Sequence, residues 1–423
     1  MMAQVDGIEV TRLANGMTVA TDHMAGVDTA SLGVWVSAGT RHEQPAINGV
    51  AHLLEHMAFK GTERRTARDI AVEIEAVGGV LNAYTSREHT AYYARVLAND
   101  VPLAMDILAD ILQRSTLEDA ELSRERTVVL QEIGQAEDTP DDIVFDYFQE
   151  TAYPDQALGR PVLGTADTVS NMQRDDIRGY LRRNYTGERM VLAAAGRVDH
   201  GALVAAAERL FPGLPNAKAE PAEPARYIGG ERREGRDLEQ VHLIMGFGGI
   251  GYRDDDYYAA TVYSTLLGGG MSSRLFQEVR EKRGLVYSIY TFASPYSDGG
   301  LFGIYAGTGP DQLKELIPVV CAEIRQTPAT LDKAEIDRAR AQLKAGILMA
   351  RESSSSRCEQ LAQQLLVYGR PLATEEVIGK VDAVDAAAIG RVARRIAATP
   401  LTMTTLGPVD GLESYAAISA RLA

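Results

Sequence analysis

The spacing of apolar residues in the first half of the chain alternates between the period of a strand and that of a helix. Residues 10–23 alternate around Asn15-Gly16, a dipeptide typical of the tight turn in a β-hairpin. An apolar run at 31–37 predicts a buried strand, and helical spacing predicts a helix over 46–58. The other elements predicted before residue 212 are strands at 80–84, 89–97 and 189–195, and helices at 66–78, 99–113, 116–137, 141–152, 174–184 and 199–211.

The same order of elements begins again after a change in composition. Residues 213–235 are rich in proline, alanine, glycine and mixed charges without apolar periodicity, which predicts a linker. The repeated elements are a strand at 241–247, a helix at 257–267, strands at 286–293 and 301–306, and a helix at 312–325. We therefore predict two domains of duplicated topology, 1–214 and 237–423, joined by a linker at 215–236.

Composition and charge narrow the class of protein. The 423 residues are 45% hydrophobic and 24% charged, as in soluble proteins with full cores, and the net charge of −15 argues against a nucleic-acid surface. Cys321 and Cys358 form neither a disulfide framework nor a Cys-x-x-Cys pattern, which favours a reduced compartment. The sequence shows no secretory signal, transit peptide or membrane-length apolar run, so we expect a cytoplasmic protein without a membrane partner.

The predicted helix at 46–58 carries the order His-x-x-Glu-His, as His52, Glu55 and His56. Side chains at i and i+4 lie one helical turn apart, so the two imidazoles can share a metal ion with the carboxylate on the same half of the helix. This order is the inverted form of a zinc-peptidase motif. Histidines on a partly apolar helix are also often structural, and catalytic zinc normally takes three protein ligands. A third ligand must therefore come from elsewhere in the chain.

The predicted helix at 116–137 carries the candidates for that ligand. Glu125 and Glu132 lie seven residues apart and so share one face, while acidic residues on such a helix most often form a solvated face. Spacing alone does not choose among the five glutamates: Glu118, Glu121, Glu125, Glu132 and Glu137.

The segments around the motif resemble a known family. Gly39, residues 49–56 and residues 59–62 are similar to the signature of the pitrilysin, insulinase and mitochondrial-processing-peptidase family of zinc metallopeptidases, also called inverzincins. In that family the third ligand is a glutamate in a Glu-Arg-x-x-Val-x-x-Glu-like helix. Residues 125–132 match this helix. The resemblance implies one zinc ion per chain, bound by His52, His56 and Glu132, with Glu125 beside the ligands.

The resemblance also implies where a peptide substrate binds. Residues 79–88 match the edge strand of the family, which implies that Asn82, Ala83, Tyr84 and Thr85 pair with a bound peptide by strand addition.

Two residues of the second half match family positions that bind the substrate backbone near the scissile bond, Arg280 and Tyr287. Without the resemblance, they are a surface arginine and a strand tyrosine. The preceding triple glycine, 268–270, lacks the lysine of a phosphate-binding loop and the Gly-x-Gly-x-x-Gly spacing, which disfavours a nucleotide site.

Together these matches imply a zinc-dependent endopeptidase in which Glu55 activates the water. The implied fold is α+β: two homologous α/β domains, each a mainly antiparallel sheet with helices packed on it, forming half of a clam-like chamber for short or unfolded peptides. The chain is most like the bacterial processing-peptidase-like homodimeric branch. Because it carries both the zinc motif and the Arg280 and Tyr287 pair, we expect a homodimer in which each site uses both chains.

Two alternatives remain open at this stage. One is a noncatalytic scaffold of the same fold, and the other is a conditional peptide-binding subunit of a heterodimer.

Overall fold

A computed structural model describes residues 7–215 and 221–422. Its strands are β1 Ile8–Arg12, β2 Thr18–His23, β3 Thr29–Val36, β4 Val80–Thr85, β5 Thr90–Leu97, β6 Met190–Gly196, β7 Gly230–Gly235, β8 Val241–Gly248, β9 Val286–Pro295, β10 Gly300–Thr308 and β11 Thr402–Gly407.

Its helices are α1 Val50–Ala58, α2 Ala67–Ala76, α3 Val101–Gln113, α4 Asp119–Glu137, α5 Pro140–Ala152, α6 Ala166–Asn171, α7 Arg174–Asn184, α8 His200–Leu210, α9 Tyr257–Gly268, α10 Leu313–Gln326, α11 Lys333–Ala350, α12 Ser354–Tyr368, α13 Thr374–Asp382, α14 Ala386–Ala397 and α15 Tyr415–Leu422. No helix in the described part of the chain is long and apolar enough to cross a lipid bilayer.

The first sheet has six strands in the order β1-β2-β6-β3-β5-β4. Neighbouring strands are antiparallel except for the parallel pair β2 and β6. The predicted hairpin is confirmed: β1 pairs with β2 across Asn15-Gly16, and Gly16 has φ 92°, a conformation that glycine adopts without strain.

The second sheet repeats this arrangement with one strand fewer, in the order β7-β11-β8-β10-β9. Its one parallel pair, β7 and β11, corresponds to β2 and β6, and the remaining pairs are antiparallel. The predicted counterpart of the strand at 31–37 is β8, which holds the same place in its sheet as β3. The duplicated, mainly antiparallel topology is therefore confirmed.

The chain divides into two compact units, each made of segments distant in sequence. The first comprises the described residues of Met1–Gly134, Arg160–Glu223 and Leu348–Ala373; the second comprises those of Gln135–Gly159, Pro224–Ile347 and Thr374–Ala423. The predicted domains 1–214 and 237–423 are continuous along the chain. The units differ from them because α12 belongs to the first unit and α5 to the second.

Each of these helices covers one face of the sheet in its unit. Apolar residues of α12, including Cys358 and Leu361, pack with Trp35 and Ala193 of the first sheet. Phe148 of α5 packs on the second sheet, where a Cβ at Gly246 would lie 2.4 Å from the Phe148 ring. The opposite faces carry the larger cores, formed with the remaining helices of each unit.

Part of the predicted linker forms a strand. Residues 216–220 lie outside the described residues, but 230–235 form β7, paired in parallel with β11. Its sequence, Gly-Glu-Arg-Arg-Glu-Gly, is charged because β7 is an edge strand with both faces partly exposed. An edge strand of this kind lacks the apolar period by which strands are recognised.

Candidate metal centre

A buried carboxylate fixes the start of the motif helix. Glu43 accepts hydrogen bonds at Oε1 from the Ala51 amide (2.8 Å) and at Oε2 from the Gly49 amide (2.9 Å) and Asn48 Nδ2 (2.8 Å). These donors include amides that a helix start leaves without partners, so the two carboxylate oxygens satisfy them. The helix begins at Val50 and not near residue 46 as predicted, because Gly49 takes φ 94°.

The apolar side of α1 is buried, and the other side presents the three motif residues. Leu53, Leu54 and Met57 lie in the main core of the first unit. The His52 and His56 rings have centroids 4.7 Å apart on the opposite side of the helix. Burial of one face thus orients the histidines together, as their spacing predicted.

Helix α4 places Glu132 against both histidines. Glu132 Oε2 lies 3.6 Å from His52 Nε2 and 3.5 Å from His56 Nε2. One possible ligand atom from each of the three residues lies within 4.8 Å of the others. Buried Leu122 and Val129 hold α4 against the core, so Glu132 is supplied by a packed element. The structure brings together the three residues predicted as ligands.

The surrounding contacts test whether this set fits a metal ion. His56 Nδ1 lies 3.0 Å from Glu125 Oε2, and Lys60 Nζ lies 2.8 Å from Glu125 Oε1. A carboxylate that accepts the Nδ1 proton leaves Nε2 of His56 free to coordinate. Burial and the neighbouring His56 lower the pKa of His52 to about 4, which favours the neutral imidazole that a metal requires. Two imidazole nitrogens and one carboxylate fit zinc with a fourth position left for water.

Glu55 lies beside this cluster without belonging to it. Its Oε2 accepts a hydrogen bond of 2.6 Å from the Thr85 hydroxyl. Burial raises its pKa, and the Thr85 hydrogen bond opposes that shift. The carboxylate is therefore held between the motif helix and the end of β4.

The predicted peptide-binding strand is the last strand of its sheet. Within the described residues, β4 pairs on one side with β5 and ends the sheet order on the other. Ala83 packs towards the core that includes α1, and Thr85 reaches Glu55 on that same side. The Tyr84 hydroxyl points to the opposite face, where it donates to Glu359 Oε1 (2.9 Å). Asn82 Oδ1 accepts from the Ala83 amide, and the side chain of Asn82 is exposed.

The second unit brings Arg280 and Tyr287 together. Arg280 lies in a π-helix at Phe276–Glu281, and Tyr287 lies in the edge strand β9. The Arg280 guanidinium carbon lies 5.5 Å from the centroid of the Tyr287 ring, which is 77% exposed. The half-buried Arg280 and the exposed Tyr287 therefore form a cation–aromatic pair, and the same guanidinium carbon lies 4.9 Å from the centroid of the Phe276 ring.

The first glycine of the triple glycine has a packing role. Gly268 ends α9, where a Cβ would lie 2.6 Å from the Thr291 amide nitrogen. Close packing against β9 explains this glycine without a bound phosphate.

Sequence reasoning missed two residues that support the site. Lys60 belongs to the segment that carries the resemblance, but only the structure shows its contact with Glu125. Glu43 has no sequence signal, because its role depends on the 3₁₀ turns at Thr40–His42 and Pro45–Ile47 that return the chain to the start of α1.

Comparison with known proteins assigns the family. Residues 18–166 match the family described as Insulinase (Peptidase family M16), and residues 171–343 match the Peptidase M16 inactive domain. An "Uncharacterized zinc protease" of Rickettsia bellii is 40% identical over 404 residues, covering 95% of this chain and 98% of that protein. The "Probable mitochondrial-processing peptidase subunit beta, mitochondrial" of Arabidopsis thaliana is 40% identical over 422 residues, covering 96% and 79%.

A solved structure shares the fold. A chain of "Complex III2 from Candida albicans, Inz-5 bound" has a TM-score of 0.86 and 22% identity, covering 98% of this chain and 99% of that one. This likeness concerns the fold alone. The zinc-protease relatives and both matched domains confirm the family predicted from the motif: the chain belongs to the insulinase family of peptidases, M16.

Proposed function

We propose that this chain is a zinc-dependent endopeptidase with one zinc ion per chain. The observation that carries the proposal is the convergence of His52, His56 and Glu132, with Glu55 beside them and an open strand edge at Thr85. Zinc bound there would polarise the scissile carbonyl and acidify a water molecule.

Glu55 moves the protons in this mechanism. Its Oε2 is held by the Thr85 hydroxyl, which leaves Oε1 to take a proton from the attacking water. Glu55 then delivers that proton to the leaving amine. Since Thr85 ends the edge strand, the same residue fixes the base and lies next to the peptide.

The open edge of β4 supports a substrate in extended form. A peptide that adds to Asn82–Thr85 gains main-chain hydrogen bonds at every second residue. Cleavage requires an extended segment that pairs with β4 and reaches the metal centre, and a short or unfolded peptide supplies such a segment without local unfolding. Substrates are therefore short or unfolded peptides.

The working enzyme is a homodimer with two sites. One support is that a single chain carries both the zinc-binding set and the pair of Arg280 and Tyr287. The other is the resemblance to the family, which implies that each site takes the zinc-binding set from one chain and the Arg and Tyr pair from the other. In each site Arg280 and Tyr287 of the partner bind the substrate backbone near the scissile bond.

A noncatalytic scaffold, or a peptide-binding subunit dependent on a different chain, is the second candidate. The structural similarity to a chain of complex III and the match to an inactive-domain family favour it. Against it, His52, Glu55, His56 and Glu132 are all present, and three of them converge. A scaffold has no need of this set.

Metal analysis combined with a peptide assay tests the proposal. The purified chain alone should contain zinc and hydrolyse an unstructured peptide in a chelator-sensitive manner. Glu55→Gln should retain zinc and lose activity by a factor of about 10² or more, because the proton acceptor is lost. Glu132→Ala should lose zinc as well as activity, because only two ligands remain.

The control is Glu75→Gln, a change at an exposed glutamate of α2 that should alter neither zinc nor rate. Full activity of the Glu55 variant would refute its role as base, and full zinc content in the Glu132 variant would refute its role as ligand.

A further inference from the structure

A cavity lies on the face of the first sheet that α12 covers, on the side of β4 away from Glu55. Its volume is about 360 Å³, within the range of small ligand sites. Its walls include Trp35 of β3, Tyr93 and Arg95 of β5, Val80 and Tyr84 of β4, and Glu359 of α12.

Hydrogen bonds hold the walls of the cavity in place. Trp35 Nε1 donates to the Tyr84 hydroxyl (3.3 Å), which in turn donates to Glu359 Oε1 (2.9 Å). The Tyr84 and Tyr93 rings lie with centroids 6.1 Å apart. Trp35, Tyr84 and Glu359 are therefore linked to one another, and an occupant need not order these three side chains first.

The position of the cavity relates it to a strand added at β4. Side chains directly opposite each other on neighbouring strands lie on the same face of a sheet. A peptide residue opposite Val80, Asn82 or Tyr84 therefore points to the α12 face, whereas one opposite Thr85 points to the Glu55 face. Val80, 52% exposed, lies at the rim next to the open edge. At about 3.3 Å per residue, Val80 lies about 13 Å along the strand from Tyr84.

The chemistry of the walls determines the class of occupant. Three aromatic rings and Val80 present apolar surface, and aromatic pairs add stabilisation beyond buried area. Glu359 Oε2 and the Arg95 side chain make no hydrogen bond or ion pair with other described residues. Since one acid and one base line the same cavity, a charged side chain would be attracted by one and repelled by the other. A tyrosine hydroxyl, by contrast, can donate to Glu359 Oε2.

We infer that this cavity is a substrate subsite that binds an aromatic side chain, tyrosine above all, from a peptide paired with β4. The inference rests on the proposed function, because the occupant belongs to the bound substrate. It adds a specificity determinant on the face of β4 opposite the base, formed by three strands of the first sheet together with α12 from the second half of the sequence.

Matched peptides test the subsite. The host is one unstructured peptide that the enzyme cleaves. Five positions on each side of the cleaved bond are changed one at a time, and each carries either tyrosine or serine. At one or more positions that face α12, the wild-type protein should show kcat/KM about tenfold higher for tyrosine than for serine. Equal values at every position would overturn the inference.

A blocking variant assigns the preference to this cavity. Val80→Trp places a large side chain at the rim and should reduce the tyrosine-to-serine ratio to about one. Val72→Trp replaces a similarly exposed valine of α2, which lies away from the cavity, and should keep the wild-type ratio. A ratio that persists in the Val80 variant would also overturn the inference.

A measurement of peptide binding without cleavage tests the subsite independently of the proposed activity. Fluorescence anisotropy with labelled forms of the same peptides measures Kd in the Glu55→Gln protein, in which no cleavage is expected. A tyrosine preference in Kd that Val80→Trp removes would support the subsite even if the wild-type protein hydrolysed nothing, in which case only the proposed activity fails. If none of the peptides binds, or if tyrosine and serine bind equally, the subsite is refuted.

Discussion

Lys60 contacts Oε1 of Glu125, and Oε2 of Glu125 contacts Nδ1 of His56. Lys60, which is not itself a predicted ligand, therefore helps to orient the imidazole of His56. Such outer contacts restrict the orientation of a metal-binding imidazole. The chain of contacts runs from Lys60 through Glu125 to His56 Nδ1, which leaves His56 Nε2 turned towards Glu132.

Lys60→Met should weaken zinc binding by about 10- to 100-fold, because Glu125 loses the partner that orients it. Chelator competition on the purified protein measures the affinity directly and does not depend on turnover. Lys60→Arg, which restores a cation, should recover most of the affinity. Equal affinities for the Met variant and the wild-type protein would show that Lys60 does not position Glu125.

Helical geometry explains which residues of the site were predictable. His52, Glu55 and His56 follow from spacing alone, since a single helix fixes their relative directions. Glu132 did not follow from spacing, because five glutamates on the predicted helix were equivalent until the resemblance distinguished them. The contact of Lys60 depends on how α4 packs beside α1, and that of Glu43 depends on the turns that lead back to α1, and no local pattern specifies either.

At the scale of elements, α1 depends on one carboxylate outside the helix. Glu43 accepts three hydrogen bonds at the start of α1, from Asn48, Gly49 and Ala51. Because Glu43 is buried, these donors have no contact with bulk water in the folded protein.

Glu43→Ala should lower the free energy of unfolding by about 3–5 kcal/mol, because three donors lose their acceptor. Thermal or urea unfolding of the metal-free protein measures this change apart from zinc binding. Glu63→Ala, at an exposed glutamate after α1, is the matched control and should stay near the wild-type value. Similar unfolding curves for the two variants would contradict a special role for Glu43.

The elements that sequence predicted best are those with a strong apolar period, such as α7, whose predicted bounds coincide with the observed Arg174–Asn184. The strand β7 was missed because its partner β11 lies more than 160 residues away and its own residues are charged. The sequence also did not predict that α12 belongs to the first unit and α5 to the second. The reason is similar: contacts between residues so far apart in the sequence leave no local pattern.

At the scale of the whole molecule, the proposed homodimer makes a prediction about mixtures of inactive chains. Glu55→Gln lacks the base, and Arg280→Ala lacks a substrate-binding residue. A mixed dimer would contain one site with the base of one chain and the arginine of the other. Equal amounts of the two variants, allowed to exchange subunits, should recover about a quarter of wild-type activity if chains pair at random.

Sedimentation of the same mixture shows whether dimers are present. The control mixes Glu55→Gln with Glu55→Gln Arg280→Ala, a pair that cannot form an intact site and should stay inactive. A fully active monomer, or a mixture of the single variants without recovery, would contradict a site shared between chains.

Because α12 belongs to the first unit and α5 to the second, the division into units also affects the order in which the chain folds during synthesis. The ribosome releases the amino-terminal part first, and a compact unit is complete only when all of its segments have emerged. Trp35 and Ala193 lie on a sheet face whose covering helix ends at Tyr368, so that face stays uncovered until most of the 423 residues have been translated. We therefore expect the unit that is translated first to finish folding late, with an apolar sheet face exposed on the nascent chain until α12 has emerged.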